Sequence, residues 1–306
     1  MSLRIAIAGY GKIARDQHEP AIAACGMTLV AVADPQARHP RLPSYGSIEA
    51  MLAKEPEIDA IAVCAPPQFR FATARAALDA GRHVFLEKPP GQTLGEVAAL
   101  EALARGRGCS LFAAWHSREA AGAQPAREWL EGKAVTDVTV TWKEDARVWH
   151  PGQDWIWEPG GFGVFDPAIN ALSLLTAILP GGWRVLAADF ERQREGTAPI
   201  AARVAMLARD DVPVRAEFDF RGPEPAVWDI RIATEAGELL LSRGGERLTI
   251  AGKPVPLASP GEYPRLYRRF AGLIGEAMSE VDAEPLRLVA DSFVVARDRL
   301  VGQASA

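Results

Sequence analysis

Cysteine is scarce in this chain: Cys25, Cys64 and Cys109 are the only three among 306 residues. They form an odd set without metal-type spacing, and each lies in or beside an apolar segment. That pattern reads as buried free thiols of a reducing compartment. Long apolar runs are also missing, since none approaches the roughly 20 residues that a membrane-spanning helix requires. The N-terminus runs directly into a strand and a glycine turn, without the pattern of a signal peptide. Neither sign of charge dominates: 34 Lys and Arg face 39 Asp and Glu, for a net charge of −5 and a pI near 5.7. That balance argues against a nucleic-acid surface. There is no internal repeat, low-complexity segment or long linker. These absences lead us to expect a cytoplasmic globular protein with neither nucleic-acid nor membrane partners. A chain of this length commonly makes two domains.

What is present begins at the N-terminus. The apolar run Leu3–Ala8 leads into Gly9-Tyr10-Gly11-Lys12-Ile13-Ala14, a G-x-G-x-x-A turn between a strand and a helix. This is the dinucleotide fingerprint in its required context. The first glycine makes the tight turn, the second admits the pyrophosphate to the backbone, and Ala14 allows close helix–strand packing. The free N–H groups of the helix then face the phosphates. The helix is expected to break near Pro20. A second strand, Thr28–Ala33, ends in Asp34, 25 residues after Gly9. Asp34 is either a solvated strand-end acid or the partner of the adenosine ribose hydroxyls. In the second role it repels a 2′-phosphate and favours NAD, while Arg38 and Arg41 just beyond keep NADP open.

Strand and helix then alternate strictly to residue 114, which predicts a doubly wound parallel sheet with ligands beyond the strand carboxyl ends. Ser47 is a plausible cap for a helix to Lys54, and Thr93-Leu94-Gly95-Glu96 is a capping box. The edge so formed collects Gly9, Asp34, Ala65–Gln68, Glu87–Lys88 and Trp115–His116. Residues 1–116 are therefore expected to be a dinucleotide-binding domain, and residues 117–306 an α+β domain with a largely antiparallel sheet. Two helices, Tyr263–Glu280 and Pro285–Val301, are expected to close the chain.

Three stretches carry candidate chemistry. In Glu87-Lys88-Pro89-Pro90 a lysine emerges from a buried strand into a turn stiffened by two prolines. A lysine placed there suits proton exchange with a hydroxyl. In Gly160–Asn170, Asp166 and Asn170 stand four apart at a helix start and share a face. Asp166 is read either as the N-cap, with Pro167 in the first turn, or as a catalytic carboxylate. The glycines before it are expected to leave room for a ligand against backbone. The third stretch, Trp142–Trp157, holds four of the eight tryptophans together with Glu144, Asp145 and His150. Aromatic faces among carboxylates and imidazoles suit a sugar, and they also suit a subunit interface.

On the G-x-G-x-x-A turn, the Glu87-Lys88-Pro89 signature and the glycine-rich approach to Asp166, the whole chain resembles the Gfo/Idh/MocA oxidoreductase family. It is most similar to the family's bacterial sugar 1-dehydrogenases, through GYGKIARDQ (9–17), EKPP (87–90), WHSR (115–118) and the segments around Lys143–Gly152, Trp155–Trp157 and Gly160–Leu175. The resemblance implies a Rossmann domain, a homodimer, and substrate contacts by His116, Glu144, Trp149, His150 and Trp228 around a Lys88–Asp166–Asn170 centre. Coenzyme contacts would come from Gly9, Tyr10, Gly11, Lys12, Ile13, Asp34, Cys64, Ala65, Pro66, Pro67, Gln68, Glu87, Lys88, Trp115 and His116. The family pattern has histidine where this chain has Asn170, and the sugar dehydrogenases share the asparagine. The implied reaction oxidises an aldopyranose such as D-galactose, L-arabinose or D-fucose at C1, with no metal and with NAD favoured. A ring-hydroxyl (inositol-type) dehydrogenase and a dinucleotide-sensing regulator are the alternatives.

Overall fold

The computed structural model describes residues 2–158, 160–258 and 261–301. Strand β1 (Arg4–Ala8) leads into a helix whose π-type segment, Ala14–His18, continues as α1 (Glu19–Ala24). The Glu19 N–H reaches the Ala14 carbonyl, and Pro20 falls in the first turn of α1. The wider turn absorbs the proline, so the helix is re-registered there rather than broken. Then follow β2 (Thr28–Ala33), β3 (Ser44–Tyr45), α2 (Ile48–Lys54), β4 (Ala60–Val63), α3 (Pro67–Asp79), β5 (His83–Glu87), α4 (Leu94–Arg107) and β6 (Leu111–Ala114). The Ser47 and Thr93 hydroxyls accept from Ala50 N–H and Glu96 N–H, capping α2 and α4. Glu96 accepts from Gln92 N–H, one residue before the position that a closed capping box uses.

Helix α5 (Ala123–Leu130) precedes β7 (Val135–Lys143), the single-turn α6 (Ala146–Trp149) and α7 (Phe165–Ile178). The strands β8 (Arg184–Arg192), β9 (Ala201–Leu207), β10 (Pro213–Asp219), β11 (Val227–Thr234), β12 (Gly237–Ser242), β13 (Arg247–Ile250) and β14 (Lys253–Val255) come next. The chain continues with α8 (Glu262–Gly275), α9 (Glu284–Val295) and β15 (Ala296–Leu300).

Two compact units result, Met1–His116 with Pro260–Ala283, and Ser117–Ser259 with Glu284–Ala306. The first holds a parallel sheet in the order β3-β2-β1-β4-β5-β6, the doubly wound Rossmann arrangement. One face buries Ala6, Ile61, Val63, Val84 and Leu86 against Met51, Leu78 and Leu100 of α2, α3 and α4. The opposite face buries Ile7, Phe85 and Phe112 against Ile22 of α1 and Tyr263, Tyr267 and Phe270 of α8. Phe85 stacks on Tyr267 with ring centroids 4.7 Å apart. The sequence-based division put all of 117–306 in the second domain, whereas α8 covers a Rossmann face that α1 alone leaves open. Helix α8 also stops at Gly275 rather than Glu280, and Glu280 bridges Phe112 beside β6.

The second unit carries a nine-stranded sheet, β14-β13-β12-β11-β7-β10-β9-β8-β15. It is antiparallel apart from the β7–β10 and β8–β15 pairs. One face buries Val138, Val140, Phe190 and Phe218. Helix α7 packs against β7 and β11, with α5 and α9 beside it. The expected final helix over 285–301 ends at Val295, and Ala296–Leu300 pairs with β8 instead. The exposed edge of β8 offers unpaired backbone groups, and the Arg297–Asp189 and Arg192–Asp298 ion pairs fasten the added strand. Among the described residues no helix is long and apolar enough to cross a membrane.

Candidate active site

Gly9 closes β1 with φ +92°, and a Cβ placed there would lie 2.5 Å from the Ala65 nitrogen after β4. No other residue fits without moving the neighbouring strand end. Nothing lies within 4 Å of a Cβ built at Gly11, so its backbone is open to close approach. That openness is what a pyrophosphate needs, and the turn therefore fits the dinucleotide. Lys12 and Ile13 are exposed beside it, Lys12 paired with Asp16. Pro66 stands at the N-cap position of α3, and Pro67 occupies its first turn. Burial pushes the Cys64 thiol well above its usual value of 9, so it stays neutral.

Asp34 is wrapped by its own turn. Its Oδ2 accepts from Tyr10 N–H at 2.8 Å, and its Oδ1 accepts from Gln36 N–H at 2.8 Å and Ala37 N–H at 2.7 Å. Burial works to raise this carboxyl, but the three N–H groups and Arg38 outweigh it and hold it below the ordinary range. The Arg38 guanidinium donates to the carbonyls of Asp34 and Ala37, each at 2.7 Å.

Glu87 and Lys88 end β5, and the Lys88–Pro89 peptide is cis. Glu87 is buried, and its Oε2 accepts from Lys88 N–H at 2.9 Å. Its Oε1 lies 3.0 Å from His18 Nε2 and accepts from the Tyr263 hydroxyl at 2.7 Å. Burial alone would raise the Glu87 carboxyl, but the His18 bond and charge, the His116 charge and the Tyr263 bond bring it down to about 2. On the other side of the turn, buried Arg70 donates to the carbonyls of Pro89 and Ala65. The end of β5 is thus tied to the end of β4. Beyond β6, Trp115 Nε1–H donates to the Asp282 carbonyl at 2.9 Å, and His116 Nδ1 lies 2.7 Å from Glu262 Oε2.

In the second unit Asp166 is buried in the first turn of α7, with Asn170 one turn further on. Val164 rather than Asp166 occupies the N-cap position, so the capping reading does not hold. The glycines before it serve a purpose other than the one expected. A Cβ at Gly161 would meet the Trp155 carbonyl oxygen at 2.0 Å, and one at Gly163 the Pro199 oxygen at 2.3 Å. At these two positions the missing Cβ admits the chain's own backbone.

Glu144, buried at the end of β7, accepts from Trp228 Nε1–H at 2.8 Å through Oε2, and its Oε1 lies 2.7 Å from His150 Nε2. Its backbone is clamped too: Glu144 N–H donates to Asp219 O at 3.0 Å, and Gly222 N–H donates to Glu144 O at 3.1 Å. Trp149, 45% exposed, meets Trp228 edge to face at 4.7 Å, and Trp142 stacks on Trp228 at 5.9 Å. Glu144, Trp149, His150 and Trp228, scattered over 85 positions, thus form one cluster with a buried carboxylate and an exposed indole face.

The first unit likewise gathers Gly9, Tyr10, Asp34 and Ala65, and separately Glu87, Lys88 and His116 with their supports. Sequence reasoning missed His18, Arg70, Glu262 and Tyr263. A glutamate ending an otherwise apolar strand has to find donors, and that was the available signal.

Residues 3–115 match the Gfo/Idh/MocA family, an oxidoreductase family with an NAD-binding Rossmann fold. The galactose 1-dehydrogenase of Pseudomonas fluorescens is 45% identical over 295 residues, covering 96% of this chain and 95% of that protein. The crystal structure of a D-galactose 1-dehydrogenase from Rhizobium etli is 49% identical and superposes with a TM-score of 0.93, covering 99% of this chain and 98% of that one. The 3-ketoreductase KijD10 of Actinomadura kijaniata, at 16% identity and TM-score 0.84 over 98% of this chain and 100% of that one, shares the fold. The chain belongs to the Gfo/Idh/MocA oxidoreductase family. It is an NAD(P)-dependent oxidoreductase acting on CH–OH groups.

Proposed function

We propose that the protein oxidises an aldopyranose at its anomeric carbon, with D-galactose as the leading substrate and L-arabinose and D-fucose as further ones. The observation that carries this reading is the Glu144 clamp. A buried carboxylate held by Trp228 and His150 beneath an exposed indole offers hydrogen bonding for hydroxyls and an apolar face for C–H groups. Similarity along nearly the whole chain to two galactose 1-dehydrogenases supports it.

The bound nicotinamide supplies the acceptor for the C1 hydride. Asp166 takes the C1 hydroxyl proton as the C1–O double bond forms, and the product is the aldonolactone. Lys88, held in its turn by Glu87 and Arg70, stabilises the developing alkoxide charge or takes the same proton, and Asn170 orients the oxygen. Glu144, Trp149, His150, Trp228 and His116 bind the sugar. The coenzyme residues are those of the Gly9–Ile13 turn, Asp34, Cys64–Gln68, Glu87–Lys88 and Trp115–His116.

We favour NAD, because an ionised Asp34 repels a 2′-phosphate and Arg38 is engaged by its own loop. A homodimer through the uncovered face of the nine-stranded sheet, where Arg203, Arg215 and Glu217 stand outward, belongs to the same reading. So does a reducing cytoplasmic setting, with all three cysteines free.

The test is the rate of nicotinamide reduction with D-galactose and L-arabinose, each with NAD and with NADP. The two sugars differ only by the C5 hydroxymethyl, so turnover of both within a modest ratio is expected. Coenzyme binding without turnover of either sugar would remove the proposal.

A further inference from the structure

We propose that the first turn of α8 is a positioning element for the catalytic edge, Glu262 fixing the His116 ring and Tyr263 fixing the Glu87 carboxylate behind Lys88. The inference rests on the reading above for what the edge does, but not for the arrangement itself.

Helix α8 reaches the Rossmann sheet from 146 positions beyond His116, and its consecutive residues Glu262 and Tyr263 each grip a different part of that sheet's carboxyl edge. Glu262 Oε2 lies 2.7 Å from His116 Nδ1. A carboxylate accepts only, so the neutral imidazole carries its proton on Nδ1 and its lone pair on Nε2. An imidazole in that tautomer presents an acceptor at Nε2, whereas the other tautomer would present a donor there. The ring plane is fixed as well, since His116 stacks on Tyr263 with centroids 5.9 Å apart and planes 17° from parallel.

The Tyr263 hydroxyl continues past that stack and donates to Glu87 Oε1 at 2.7 Å. Burial and the facing carboxylate push this phenol well above 10, so it remains a donor throughout the physiological range. His18 Nε2 meets the same oxygen, and Tyr267, one turn further along α8, meets His18 Nδ1 at 2.8 Å. Tyr263 of α8 and His18 of the π-type segment therefore hold one oxygen of the carboxylate whose second oxygen accepts from the Lys88 N–H, and Tyr267 backs His18. Ionised and fully hydrogen-bonded, Glu87 keeps one orientation, and the backbone of Lys88 is fixed with it.

The experiment compares wild type, Glu262→Gln and Tyr263→Phe. Side-chain 15N NMR of the coenzyme-free protein, at a pH where histidine is neutral, reads the tautomer directly. His116 is identified by the loss of its signals in His116→Asn. Wild type should show pyrrole-type Nδ1 and pyridine-type Nε2, and Glu262→Gln should show averaged shifts at both. In steady state Glu262→Gln should raise the sugar KM about tenfold. Tyr263→Phe should instead lower kcat about tenfold with the sugar KM little changed. An unaltered His116 tautomer in Glu262→Gln, or a uniform loss in both variants that only follows lowered melting temperature, would overturn the proposal. If wild type turns over no aldose, the functional reading fails, and the NMR result still decides this one.

Discussion

Replacing Glu87 by glutamine tests the buried network that holds Lys88, the proposed catalytic lysine. The Glu87 carboxyl lies at about 2 in place of an ordinary 4.5. At about 1.4 kcal/mol per pH unit, the ionised form contributes on the order of 3 kcal/mol at neutral pH. The sign follows from the lowered value. The contribution is fully present above about 4.5, where the unfolded chain is ionised too, and is lost as pH falls towards 2. By pH 3.5 about 2 kcal/mol should remain. Glutamine keeps the shape but either sets its amide N–H₂ against the Lys88 N–H, a donor against a donor, or removes the oxygen that accepts from the Tyr263 hydroxyl. Calorimetric melting of wild type and Glu87→Gln should therefore show the Rossmann unit less stable by about 3 kcal/mol at pH 7, or roughly 6–12 °C. The gap should narrow by about 1 kcal/mol at pH 3.5. A difference independent of pH, or one below about 0.5 kcal/mol at pH 7, would refute an ionised, fully bonded Glu87.

Further outcomes follow from the same geometry. Gly9→Ala forces a Cβ to within 2.5 Å of Ala65 N at φ +92°, and should destabilise the Rossmann unit by about 1–3 kcal/mol and weaken NAD binding, as read by melting and fluorescence titration. Asp34→Ala removes both the charge that repels a 2′-phosphate and the acceptor of three N–H groups, so the NAD-to-NADP ratio of kcat/KM should fall by about tenfold or more. Glu144→Gln sets an amide against the Trp228 N–H or the His150 ring, and should raise the sugar KM about 10- to 100-fold without moving the coenzyme KM.

The Rossmann half was legible because its information is local. The glycine turn, the capping serine and threonine, and strict alternation of apolar strand with helix each act over a few residues, and the strand order follows from them. Legibility stopped where the packing partner lies far away in sequence. Tyr263, Tyr267 and Phe270 mark α8 as buried, but nothing in their spacing says which of two sheets they cover. Ala296–Leu300 likewise follows α9 without a break, and only the open edge of β8 makes it a strand. Lys88, Asp166 and the Glu144–Trp149–His150 stretch stood out as candidates because unusual residues crowd together in each stretch. His18, Arg70 and Glu262 did not, since each looks ordinary until the fold supplies the carboxylate or carbonyl that it serves. Gly161 and Gly163 were misread because close approach to a ligand and close approach to backbone demand the same residue.

The central claim is that the carbon oxidised is C1. D-Galactose carrying deuterium at C1 tests it most directly, with the reduced coenzyme and the sugar product both examined by mass spectrometry. Oxidation at C1 places deuterium in the reduced nicotinamide, leaves a label-free aldonolactone, and slows turnover whenever hydride transfer limits it. Unlabelled reduced coenzyme alongside a ring-ketone sugar that retains the deuterium would contradict it, and would assign the protein to ring-hydroxyl oxidation instead.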